Sequence, residues 1–110
     1  MNKDFLVHLF HIAIVGILFL YVGTKRTDIP TFMFPGLLVL GVIIVMYHAY
    51  KVFDKVQQNK PYWVNLVHVL LVGPLLIYIG YNGEDTKRLY FELLLMLSFA
   101  VIGYHGYYLV

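Results

Sequence analysis

Four stretches without a charged residue, each about as long as a bilayer is thick, constrain the fold of this chain. They cover residues 5–24, 29–50, 61–81 and 93–110. At about 1.5 Å per residue, a helix over the first stretch reaches roughly 30 Å, the thickness of a hydrocarbon core. Hydrophobic residues make up 61% of the 110 residues, more than a small soluble fold could bury. The sequence predicts an all-α membrane protein of four transmembrane helices, the last beginning near Thr86.

The residues between these stretches indicate where the helices begin and end. Pro30 and Pro35 are tolerated in the first turn of the second helix. Pro74 should kink the third helix, and Asp85 is placed to cap the fourth. Residues 51–60 form a linker-like stretch. The first stretch is too long for the apolar segment of a signal peptide, so we expect the mature protein to retain it.

The composition argues against several kinds of site. The chain has no cysteine, so it can form neither a disulfide nor a thiolate metal site. The formal net charge of +2, without a basic run interleaved with aromatic residues, argues against nucleic-acid binding. No common catalytic motif occurs in the sequence, and the predicted turns are too short to build a catalytic site. An enzyme is therefore disfavoured.

The sequence matches itself when it is shifted by 57 residues without a gap. The shift pairs His11 with His68, and 18 of 53 pairs are identical. A leucine-rich composition would give roughly 4 or 5 identities by chance. We infer two tandem copies of one helical hairpin, at residues 1–53 and 58–110, joined by a short linker into a single four-helix domain.

This repeat determines the expected topology. Each copy holds two helices, so both copies enter the membrane in the same orientation, as a parallel repeat about a pseudo-twofold axis along the membrane normal. Both termini and the linker are expected on one side, and the two short turns on the other. Four of the eight basic residues fall on each side, so the positive-inside rule does not assign the cytoplasmic face.

Three short motifs resemble those of a known group of proteins. They are Leu66-Val67-His68, Val72-Gly73-Pro74 with Tyr78-Ile79-Gly80, and Tyr104-His105-Gly106-Tyr107. With these motifs the chain resembles short, uncharacterised four-helix membrane proteins encoded by large DNA viruses of algae, over most of its length. The resemblance implies a host or virion membrane. It implies no activity, because that group has none established.

Four of the five histidines recur in both copies, whereas His8 is replaced by Asn65 in the second. The repeat places the four at one depth, one on each helix, roughly 5 to 10 Å below the membrane surface on the side of the termini. An ionisable residue inside a membrane indicates a functional site by default. The alternative is that these side chains only bond between helices. The four residues are His11, His48, His68 and His105.

Three ligands suit such a layer. Neutral imidazole binds zinc or copper, and Zn²⁺ prefers four tetrahedral ligands. Two facing histidines could instead be the axial ligands of a haem b, with the small residues Gly41 and Ser98 making space for it. The third ligand is a proton, because free imidazole titrates near pH 6.5. Beyond the layer, however, a polar path could be extended only by Glu92, Ser98, Tyr21 and Tyr78.

A few other residues accompany the histidines. Tyr47 and Tyr104 each precede one of them. Glu92 has either a functional role or, as we favour, an ion pair with Arg88 four residues earlier. Small residues on one helix face also predict close helix contacts, a second interpretation that applies to Gly41 and Ser98. The glycines concerned lie seven apart and are Gly16 with Gly23 and Gly73 with Gly80.

The sequence thus predicts a small polytopic integral membrane protein whose four-histidine layer binds or transports a metal ion or protons. Two alternatives stay open: a bis-histidine haem b redox protein, and a structural or scaffold membrane protein without a ligand. The lipid bilayer is the expected partner. A homo-oligomer fits as well, since four helices form a thin enclosure for a pathway.

If the four histidines share one ligand, replacing one of them should abolish most ligand binding. Replacing its repeat partner as well should add little, because groups that act as a unit are non-additive. Independent helix contacts would instead each contribute roughly 0.6 kcal/mol of stability, and their losses would add. Bound metal, haem absorbance and thermal stability of His11→Ala, His68→Ala and the double variant separate the two cases.

Overall fold

The computed structural model describes residues 3–109, with side chains from Asp4 onward, and this part of the chain is helical with no strand. Residues 1, 2 and 110 of the predicted copies lie outside the described residues. The four long helices are α1 (Lys3–Phe10, π-helical His11–Gly16, Ile17–Lys25), α2 (Met33–Gln57), α3 (Trp63–Val67, π-helical His68–Val72, Gly73–Asn82) and α4 (Arg88–Leu109). Each is long and apolar enough to cross a membrane. The prediction of four helices of membrane-spanning length is confirmed.

Helix α2 extends into the stretch that the sequence marked as a linker. The helix continues to Gln57, and the side-chain amide of Gln58 donates to Asp54 Oδ1 at 3.0 Å. Lysine and glutamine are good helix formers, so polarity marks the end of an apolar span without ending the helix. The connection to α3 is therefore only residues 58–62, in which Asn59 has a positive φ of 56°.

Helix α4 begins later than predicted, and Asp85 does not cap it. Asp85 lies in the 3₁₀ turn Gly83–Asp85, and the following residue, Thr86, is extended with a ψ of 129°. The Thr86 hydroxyl donates to the carbonyl of Ile79 at 3.3 Å, which directs the chain back towards α3. Helical geometry consequently starts only at Arg88.

The helices form two compact units, one of α1 with α4 and one of α2 with α3. In the α1–α4 unit the helices are antiparallel and touch at small residues. A Cβ built on Gly16 would lie 2.7 Å from Ile102 Cγ1, and one built on Gly23 would lie 3.0 Å from the backbone nitrogen of Leu95. The buried Ser98 hydroxyl donates to the carbonyl of Gly16 at 2.8 Å. The predicted close approach at these glycines is confirmed.

The α2–α3 unit is also an antiparallel pair held by glycine contacts. A Cβ on Gly41 would lie 2.8 Å from the carbonyl oxygen of Gly73. A Cβ on Gly80 would lie 2.5 Å from the nitrogen of Leu38 and 2.6 Å from the oxygen of Phe34. Since these neighbours are backbone atoms, they cannot move aside as a side chain can.

We expect Gly80→Ala to destabilise the α2–α3 unit by about 1 to 3 kcal/mol, because the added methyl overpacks a backbone contact. Gly103→Ala is the control, since a Cβ there meets no atom within 4 Å. That change should be neutral or stabilising by up to about 1 kcal/mol through helix propensity. Unfolding of both variants in detergent micelles measures the difference, and equal effects would contradict the contact.

Candidate functional site: paired histidines

Two imidazoles stack between the helices of the α2–α3 unit. The rings of His48, on α2, and His68, on α3, lie 3.9 Å apart between centroids and 13° from parallel. Both side chains are half-buried. His68 is also the first residue of the π-helical turn in α3, and such turns are frequent at functional sites.

The protonation of His68 follows from its hydrogen bond. Its Nδ1 lies 2.7 Å from the carbonyl oxygen of Val64, one turn earlier. A carbonyl only accepts, so Nδ1 carries the hydrogen, and in the neutral ring Nε2 carries the lone pair. The local backbone therefore selects one tautomer of His68.

His48 takes the opposite tautomer because of a polar chain that begins at Lys55. The Lys55 ammonium donates to Asn65 Oδ1 at 2.5 Å, and Asn65 Nδ2 lies 2.8 Å from His48 Nδ1. An ammonium has no acceptor, so the amide must present its oxygen to Lys55 and its NH₂ to His48. His48 Nδ1 therefore accepts, and the ring is neutral with its hydrogen on Nε2. Asn65, at 6% exposure, is a buried link between a cation and an imidazole.

The α1–α4 unit contains a second stacked pair. The rings of His11, on α1, and His105, on α4, lie 4.3 Å apart and 18° from parallel. His11 Nδ1 donates to the carbonyl oxygen of Val7 at 2.8 Å, and His11 begins the π-helical turn of α1. His105 is only 6% exposed.

His8 completes this second cluster. Its Nδ1 lies 2.7 Å from Nδ1 of His105, so one ring donates to the other. On its other side, the His8 ring stacks on Tyr108 at 5.6 Å and 14°. Three residues of these clusters, His8, Asn65 and Lys55, were not among the site residues that the sequence predicted. For His8 and Asn65 the sequence did carry a signal, because the two positions are 57 residues apart and both polar.

The structure thus joins the four predicted histidines in two pairs, one within each unit. The predicted layer of all four combines residues of both units and stays a prediction. Among residues 3–109, no group of three or more histidine and acidic side chains has a geometry that could hold a metal ion.

The remaining predicted site residues flank these pairs or lie apart from them. The rings of Tyr47 and Tyr104 meet those of the following histidines edge-on, at 5.2 Å and 5.1 Å. Glu92 is exposed, and its Oε1 accepts from Arg88 Nε at 3.0 Å, which is the ion pair that the sequence favoured.

Gly41 and Ser98, considered as space for a haem, are both positions of helix contact. Gly41 is buried against the backbone of Gly73, and Ser98 is fully buried with its hydroxyl on Gly16. The space beside each residue is therefore occupied by the neighbouring helix of its own unit.

Comparison with known proteins gives no assignment: no protein-family model, curated protein or solved structure matches this chain.

If Asn65 fixes the His48 tautomer, Asn65→Leu should destabilise the α2–α3 unit by about 1 to 3 kcal/mol. The variant keeps the number and branching of the side-chain heavy atoms but leaves the nitrogen of His48 and the Lys55 ammonium without their amide partner. The ¹⁵N spectrum of His48 should change from one tautomer to a mixture. Asn82→Leu is the matched control, since its amide donates to the carbonyl of Tyr78 in its own helix, and the change should cost under about 0.5 kcal/mol. An unchanged His48 spectrum would contradict this assignment.

Proposed function

We propose that the chain is an integral membrane protein built from two tandem copies of one hairpin, and that it translocates protons through its imidazole pairs. The tandem origin is supported by the internal geometry of the units, which agrees at positions 57 residues apart. The stacked pair His11 and His105 has its equivalent in His68 and His48, and both π-helical turns begin at the first histidine of these pairs.

The two short turns support the same origin. Arg26 has φ 56° and ψ −126°, and its equivalent Gly83 has φ 55° and ψ −127°. An arginine rarely adopts this glycine-favoured conformation. That two unlike residues 57 positions apart share this conformation supports a common origin of the two turns.

The pairing of the helices combines the two proposed copies within each unit. Each unit takes one helix from each proposed copy: α1 pairs with α4, and α3 with α2. Antiparallel pairing puts the start of α1 and the end of α4, Lys3 and Leu109, at the histidine end of the α1–α4 unit. It also puts residues 58–62 at the histidine end of the α2–α3 unit.

The observation that carries the proton proposal is the same stacked imidazole pair in two units, each inside helices that could span a membrane. Imidazole can gain and lose a proton near neutral pH and can do so from either nitrogen. In the α2–α3 unit a polar chain from Lys55 through Asn65 holds His48 in one tautomer, with its hydrogen on Nε2.

A proton fits the α2–α3 site better than a metal ion does. Metal ligation by His48 Nε2 would require that nitrogen to lose its hydrogen while Nδ1 still accepts from Asn65. The ring would then carry no proton at all, so the amide would have to leave first. Proton transfer needs no such rearrangement, because Nε2 already carries an exchangeable hydrogen.

A haem fits the pairs less well. Two axial histidines must lie on opposite faces of a porphyrin, whereas the stacked rings lie only 3.9 Å and 4.3 Å apart, in van der Waals contact.

A transition metal is the second candidate ligand, since His11 and His68 each donate Nδ1–H to a backbone carbonyl, as metal-binding imidazoles commonly do.

The α1–α4 unit offers the better path beyond the imidazoles. Of the side chains that could extend a polar path, Ser98 is fully buried, two helical turns from His105, whereas Tyr21, Tyr78 and Glu92 are exposed. The equivalent of Ser98 in the α2–α3 unit is Gly41, which has no polar side chain. We therefore assign translocation chiefly to the α1–α4 unit.

Vesicles that contain the full-length chain and a pH-sensitive dye should acidify when valinomycin and a potassium gradient drive protons inward. His105→Gln should reduce this flux to the level of protein-free vesicles, because glutamine hydrogen-bonds but does not titrate. Glu92→Gln, which alters only an exposed ion pair, is the control and should keep the flux.

Circular dichroism and thermal unfolding must show that the glutamine variants are folded. A parent protein with no flux above protein-free vesicles would contradict proton translocation and favour the structural function. Stoichiometric zinc or copper in the purified parent would instead favour the metal.

A further inference from the structure

The histidine cluster of the α1–α4 unit contains a contact that the α2–α3 unit lacks: two imidazole nitrogens that face each other. Nδ1 of His8 lies 2.7 Å from Nδ1 of His105. At this distance one nitrogen must carry a hydrogen and the other a lone pair.

This requirement limits how many protons the pair can hold. A neutral pair satisfies it when the two rings are opposite tautomers. A pair with one excess proton satisfies it as well, with an imidazolium donating to a neutral ring, and such charge-assisted bonds are the stronger kind. A second excess proton would put two N–H groups against each other. The contact therefore accommodates one excess proton and is lost when another binds.

The described ring contacts of the pair are with aromatic side chains. The ring of His11 stacks on His105, and Tyr108 stacks on His8. Tyr104 meets His105 edge-on and also contacts Tyr108. The nearest acid in sequence is Asp4, one turn before His8 on α1. Among the described partners of the two rings, the proton is thus shared with imidazole and not with a carboxylate.

In the α2–α3 unit the position equivalent to His8 is occupied by Asn65, which has no imidazole. There Asn65 donates to His48 Nδ1, and its amide group cannot titrate. Lys55 further fixes the amide orientation, so protonation of His48 at Nδ1 would have to break the hydrogen bond. The two units therefore differ at one position: His8 can carry a proton towards the facing histidine, whereas Asn65 can only donate its amide hydrogen.

We propose that His8 and His105 form the proton-uptake site of the α1–α4 unit and hold one excess proton between their Nδ1 atoms. This inference rests on the proposed translocation of protons and assigns its first step. His8 is half-buried and lies towards the chain terminus, whereas His105 is 6% exposed. The proton enters through His8 and passes to the buried ring of His105, against which His11 is stacked.

The test is ¹⁵N NMR of histidine-labelled full-length protein in detergent micelles between about pH 8 and pH 4. We expect a ¹⁵N–¹⁵N coupling across the hydrogen bond between the two Nδ1 atoms at neutral pH. It should persist while the pair gains one proton and disappear as the pH falls further, when both nitrogens carry hydrogens. His8→Asn, which reproduces the arrangement at position 65, should abolish the coupling and keep His105 neutral over the range in which the parent pair gains its proton.

Tyr108→Phe is the matched control, since it keeps the ring stacked on His8 and should leave the coupling unchanged. If the parent shows no coupling at any pH while the His11 and His105 rings remain in contact, the uptake site is wrong. Coupling without proton flux in vesicles would support the shared proton and contradict translocation. Proton flux without the coupling would support translocation and contradict the shared proton between His8 and His105.

Discussion

The close approach of two helix backbones is the constraint on which the rest of each unit depends. Glycines bring the axes near enough that an added methyl would meet backbone atoms, as at Gly80 against Leu38. At that separation there is room for little more than a hydrogen at the contact positions. The stacked pair His48 and His68, at 3.9 Å, lies at the end of such a contact. The imidazoles are therefore positioned by glycine packing as much as by their own hydrogen bonds.

The second constraint is that apolar surroundings leave few partners for a polar group. An unsatisfied polar atom in hydrocarbon costs several kcal/mol, so each ring must find its bonds nearby. His11 and His68 use the carbonyl one turn earlier, which leaves the stacking geometry undisturbed. Their partners use a residue on the facing helix, His8 or Asn65. The local bond thus selects the tautomer of His11 and His68, and the amide selects that of His48, whereas either ring can be the donor between His8 and His105.

The sequence predicted the number and approximate span of the helices, because apolar length is a property of composition that packing does not alter. It misplaced the end of α2 and the start of α4, since polarity does not stop a helix at Lys51 and an extended Thr86 delays the next one. For the site, it identified the histidines but not their partners. Hydrogen bonds such as that from Lys55 to Asn65 depend on which helix faces which, and that arrangement is not encoded in local spacing.

The difference between positions 8 and 65 shows which part of such a site can vary. His11 and His68 form the ring stacks, and Gly16 and Gly73 lie where the helices touch, so a larger change at any of them would disturb the packing of the unit. Positions 8 and 65 each supply a partner for one nitrogen of the facing histidine. An amide and an imidazole both meet that need, and they differ in whether the partner can itself carry a proton. A site can therefore acquire or lose titration at this position without any change in the packing that holds the rings.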